Sequence, residues 1–95
     1  MPHFDLQPPT PDELYDTAMT FLDVDMPDHA LPYFLTLSQQ FPSGPGIHAA
    51  LAVAHYDNRE YPQALSAIQQ AITLDPTNHL FYTIMGFTHS LSNCL

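Results

Sequence analysis

The sequence contains no lysine, and Arg59 is its sole fixed cation against ten carboxylates. That absence excludes whole classes of partner. Neutralising nucleic-acid phosphates takes several Lys or Arg side chains, and adsorption to an anionic membrane takes the same. Neither nucleic acid nor membrane is therefore expected as a partner. Cysteine is almost absent as well: Cys94 stands alone, which excludes an internal disulfide. There is no basic segment with an apolar core to mark a signal peptide. The longest uncharged stretch, Pro76 to Leu95, is interrupted by Thr, Asn, His and Ser and is too polar to span a bilayer. These absences lead to the expectation of a cytoplasmic protein. A Gly-rich phosphate loop and a nucleophile with its base at motif spacing are missing too, so neither an enzyme nor a cofactor is expected.

What is present is one small domain: 95 residues, 45% hydrophobic, with a formal net charge of −9. A chain of this length buries roughly 60–65% of its unfolded surface in a single core. Asp12, Glu13, Asp16, Asp23, Asp25 and Asp28 crowd into one stretch, whereas nothing after Asp75 carries a fixed side-chain charge. Asp12, Glu13 and Asp16 fit the first turns of a helix, where carboxylates oppose the positive end of its dipole. The field of such a chain favours neutral or basic protein segments as partners.

A period of 34 residues runs through the chain. Ala18, Ala52 and Gly86 are spaced by it, and so are Pro11 and Pro45, Ala30 and Ala64, Leu31 and Leu65, Phe34 and Ile68, Pro42 and Pro76. Pro and Gly cluster where turns belong, with apolar residues at helical spacing between them. Thr10-Pro11-Asp12-Glu13 reads as a capping box that starts a first helix, which carries Leu14, Ala18, Phe21 and Leu22 on one face and stops near Asp23 to Asp25. A second helix is expected over about Asp28–Phe41, with Ala30, Leu31, Phe34, Leu35 and Leu37 inward and Pro32 as its defect. A third over about Gly46–Asp57 and a fourth over about Pro62–Leu74 follow. A fifth, capped by Thr77 or Asn78, runs to near the C-terminus. The spacing predicts an all-α fold of five helices, two helix hairpins plus a closing helix, in residues 10–95, preceded by a disordered Pro-rich tail over 1–9.

On this period the residues resemble the tetratricopeptide repeat. The first copy reads Leu14, Thr17, Ala18, Phe21, Ala30, Phe34 and Pro42; the second reads His48, Leu51, Ala52, His55, Ala64, Ile68 and Pro76; a half copy keeps Tyr82, Met85, Gly86 and His89. The repeats would span 11–44, 45–78 and 79–95. Thr17 and the histidines at 48, 55 and 89 depart from the family pattern. The resemblance implies a superhelix of helix pairs whose concave groove holds a peptide or helix of a partner protein. It maps the groove onto Tyr15, Met19, Leu22 and Asp23, then Ala49, Val53, Tyr56 and Asp57, then Thr83, Phe87, Ser90 and Leu91, an apolar and aromatic lining with an acidic rim. No Lys, Arg or Asn stands at these positions, as gripping the C-terminal carboxylate of a heat-shock protein would need. An apolar or amphipathic segment suits them better.

In size, acidity and repeat count the chain also resembles the small tetratricopeptide chaperones of bacterial type III secretion, which hold translocator or needle subunits. The alternative is an assembly subunit that forms a homodimer through its uncharged closing helix, with Phe81, Ile84 and Leu95 at the contact. No metal site is expected: His48 and His55 lie two helical turns, or about 10 Å, apart, with no Cys or Glu at ligand spacing. These histidines read instead as half-buried core residues with one ring nitrogen hydrogen-bonded.

Overall fold

The structure is a computed structural model and describes residues 9–93. The expected tail thus lies outside the described residues except for Pro9, and so do Cys94 and Leu95. Five helices follow one another: α1 (Pro11–Asp23), α2 (Pro27–Gln40), α3 (Pro45–Asp57), α4 (Tyr61–Leu74) and α5 (His79–Asn93). Among the described residues there is no strand.

The helix ends show why the sequence is cut at these points. Thr10 caps α1 by accepting the Glu13 amide at 3.3 Å. The Glu13 carboxylate returns to the Thr10 hydroxyl at 3.2 Å, where a full capping box would return to the Thr10 backbone amide. At the other end Asp25 takes φ 60°. The Met26 amide then reaches Phe21 O (2.8 Å) and the Asp25 amide reaches Leu22 O (3.1 Å), the paired bonds of a Schellman turn. Thirty-four residues later Arg59 at φ 62° repeats it, with Glu60 N to His55 O at 2.8 Å and Arg59 N to Tyr56 O at 3.0 Å. Helices α2 and α4 end differently. Phe41 and Asp75 leave helical geometry because prolines follow them. Asn78 begins α5, accepting the Leu80 amide at 3.0 Å, while Thr77 turns back to Asp75.

Loops of three or four residues fold each helix back on its predecessor, so α1, α3 and α5 run in the same direction. Each helix packs on its neighbours in sequence, and α3 also touches α5. Phe34, Leu37 and Ile68 are the large fully buried apolar side chains, surrounded by Ala18, Ala30, Ala52, Ala54, Ala64 and Ala71 at 0% exposure. Alanine at these crossings lets helix axes approach closely. Leu35, expected inward, is 42% exposed: the buried face of α2 is set by Ala30, Leu31, Phe34 and Leu37, and Leu35 lies a quarter turn beyond it. Pro32 is accommodated as an exposed residue inside α2.

The histidines at 48 and 55 serve the packing. His48 is buried, and its Nε2–H donates to the Pro42 carbonyl at 2.9 Å, tying α3 to the end of α2. His55 Nδ1 meets Glu60 Oε1 at 3.3 Å, and Asn58 donates to the same oxygen at 2.8 Å. These bonds, Asn58 first and His55 after it, hold the Glu60 pKa below its usual value.

Candidate functional site

Helix α3 forms the floor of a trough walled by α1 and α5. One cleft of about 300 Å3 is lined by Tyr15, Met19 and Leu22 of α1, Gly46, Ala49, Ala50 and Val53 of α3, and Leu80, Phe81 and Ile84 of α5. A second, of about 200 Å3, continues it along Val53, Tyr56, Asp57, Ile84 and Phe87. The two share Val53 and Ile84 and form one surface running toward the C-terminal end of α3. Phe87 and Leu80 stand 62% exposed on its α5 wall. Tyr15 is steadied by an edge contact with Phe34 and Tyr56 by one with Tyr61, each with ring centroids 5.8 Å apart.

Of the residues mapped from the repeat, Tyr15, Met19, Leu22, Ala49, Val53, Tyr56, Asp57 and Phe87 line these clefts. Asp23, Thr83, Ser90 and Leu91 are exposed and line neither. The reason is geometric. The flank of α1 that faces α3 carries Tyr15, Met19 and Leu22, but α5 lies on the other side of α3 and turns its opposite flank inward. That flank carries Leu80, Ile84 and Phe87, so a map reusing the same positions in every repeat places Thr83 and Ser90 on the flank of α5 away from these clefts. Gly46, Ala50, Leu80 and Ile84 were missed for this reason, although Leu80, Ile84 and Phe87 are legible in the sequence as an i, i+4, i+7 apolar row.

The expected contact face comprises Phe81, Ile84 and Leu95. Phe81 is buried at 4% exposure and Ile84 is half-buried in the trough, because α5 packs its Phe81 and Thr88 side inward; Leu95 lies outside the described residues. Thr88, although polar, is wholly buried and donates to Ile84 O at 2.7 Å.

Asp57 is the one charged residue lining the trough. Asp57 is an exposed residue, but its carboxyl is partly desolvated by the end of the trough; this desolvation, with the charge of Asp25 as a smaller cause, raises its pKa above the usual carboxylate value. Among the described residues no cation stands within ion-pair distance of it. Across α3 lies a separate hollow of about 330 Å3, lined by His48, His55, Gln63 and Gln70 together with the apolar Leu51 and Ala67. No three His, Cys, Asp or Glu side chains among the described residues gather as metal ligands. No helix among them is long and apolar enough to cross a membrane.

Residues 45–78 match the tetratricopeptide repeat family. That segment is the second of the 34-residue units, α3 and α4 with their flanking turns. The whole described chain has the five-helix superhelical fold of such repeats. It is similar to a solved structure titled MamA RS-1 ArsTM double mutant, with a TM-score of 0.87 and 21% identity, over 92% of this chain and 49% of that one. A second MamA mutant structure superposes with a TM-score of 0.80 at 17% identity, over 88% of this chain and 46% of that one. The chain thus spans about half the length of these structures, and at such identities the likeness is one of fold. Comparison with curated proteins gives no match.

Proposed function

We propose that this chain is a protein-interaction module, a chaperone or adaptor that holds an apolar or amphipathic segment of a partner protein in the trough over α3. The observation that carries this reading is the continuous apolar wall across three helices, with Leu80 and Phe87 left 62% exposed on it. Large exposed apolar side chains rimming a concave surface are what an interaction site presents. Tyr56→Asp together with Phe87→Asp should weaken partner capture while helical circular dichroism stays unchanged; undiminished capture by the folded double variant would overturn the assignment. A cytoplasmic location goes with this reading, since a lone cysteine offers no internal disulfide. The narrower role of a type III secretion chaperone draws on size, acidity and repeat count. Mass spectrometry of proteins co-purifying from the native host decides it: a translocator or needle subunit supports it, and a different partner removes it.

A second reading, self-association through α5, is favoured by one observation. Ala18 and Ala52 are fully buried where α1 meets α2 and α3 meets α4, yet Gly86, at the same place in the period, is exposed, and a Cβ there would meet nothing within 4 Å. The face bearing Tyr82 and Gly86 is thus exposed where its equivalents in α1 and α3 are packed. A second copy is a suitable cover because α5 carries no fixed charge in a chain of net −9. Light scattering should then show a dimer dispersed by Gly86→Glu; a monomer at all concentrations rejects this reading.

A further inference from the structure

We propose that the trough is selective for an amphipathic helix that carries a lysine or arginine about one turn beyond its central apolar anchor, with that cation held by Asp57. The inference rests on the reading of the trough as the partner site and adds a charged position and a register to it.

Two independent features point the same way. The first is shape. Val53 and Ile84 are common to both clefts, so an apolar side chain seated over them marks the middle of the occupant. Asp57 stands four residues, about one helical turn or 6 Å, further along α3. A helix lying along α3 that seats an apolar side chain at the middle therefore brings to the level of Asp57 a residue three or four positions away, toward its C-terminus if it runs parallel to α3 and toward its N-terminus if antiparallel. The second is charge. Asp57 is the single charged group on an otherwise apolar lining and has no cation within ion-pair distance among the described residues. It also closes the C-terminal end of α3, where the helix dipole adds partial negative charge. Its raised pKa, caused first by partial desolvation and then by Asp25, shows a carboxylate short of compensation, which an incoming ammonium or guanidinium group would supply. The chain itself has little to offer there, with Arg59 its only Lys or Arg. Long-range attraction by the net charge of −9 would speed the approach of a basic segment without fixing its register; Asp57 fixes the register.

The test is a display selection with the full chain as bait, using a library of 16-residue helical peptides in which Lys, Arg, Gln and Glu are equally frequent at the polar positions. The expected result is peptides with apolar residues at i, i+3 and i+4 and Lys or Arg enriched about fivefold over Gln at one position a turn beyond. On Asp57→Asn that preference should fall to near unity. On Asp12→Asn, which removes one negative charge at the N-terminal end of α1, it should persist. Val53→Asp and the exposed-site variant Phe87→Asp, both checked for helix content, should abolish binding of the selected peptides. Peptides that lose binding on Val53→Asp or Phe87→Asp but show no Asp57-dependent basic preference reject the inference and leave the trough reading standing. Peptides indifferent to both substitutions, or a selection that yields no binder, reject both.

Discussion

Asp57 and Arg59, two residues apart at the end of α3, each sit in an environment that opposes them. A carboxyl whose pKa is raised by folding holds its proton more tightly in the native state than in the unfolded one, so its contribution to stability falls as pH climbs through the carboxylate range. Asp57→Asn should therefore raise the melting temperature at pH 7 by about 1–2 °C, the small figure reflecting solvent screening of an exposed side chain. The gain should vanish at about pH 3, where Asp57 is protonated in both states. A gain that persists at low pH would show that the charge is not its cause. Arg59 at φ 62° occupies the left-handed position that glycine fills without penalty. Arg59→Gly should add about 1 kcal/mol in a denaturant titration, whereas Arg59→Val should cost at least as much. Identical midpoints for the two would contradict the turn geometry.

The helix crossings are the most demanding positions at the next scale. Ala64, wholly buried in α4, occupies the place in the period that Ala30 holds in α2. A phenyl ring there would push α3 and α4 apart, and overpacking of this kind costs about 1–3 kcal/mol or more, against a stability of about 5 kcal/mol for a small domain. Ala64→Phe should lower the melting temperature by about 10–20 °C; a native-like melt would show that the two helices do not meet at this residue. The same periodicity made the elements legible. The capping Thr10, the prolines at 42, 45, 62 and 76 and the repeated alanines located the five helices to within a residue or so at most ends, because caps, prolines and close crossings are local constraints written in single residues. The trough was only partly legible. Which flank of α5 turns inward depends on where α5 stands relative to α3, and no local pattern states that. Leu80 and Ile84 on the trough wall and Phe81 in the packing are set by that tertiary placement.

For the whole molecule the dominant facts are a net charge of −9 and a contact pattern confined almost entirely to helices adjacent in sequence. The two ion pairs among the described residues both involve histidine, His29 with Asp28 and His55 with Glu60, so salt has little attraction to weaken and much repulsion to screen. Raising sodium chloride from 0.01 M to 0.5 M, which shortens the screening length from about 30 Å to below 8 Å, should raise the melting temperature by a few degrees; a fall would mean that attraction between charges holds the fold. The contact pattern also bears on how the chain comes apart. With neighbours only on either side, α1 and α5 can each peel away while the rest persists, as the end units of a linear array do. α3 cannot be released until a flanking helix has left. Amide protons should therefore exchange slowest in α3, at a rate set by global unfolding, and progressively faster toward both ends. Short sequence separation between contacting helices also implies refolding within milliseconds. A partner lying across α1, α3 and α5 would then act as a clamp: on binding, the exchange rates of the two outer helices should drop toward that of the middle one.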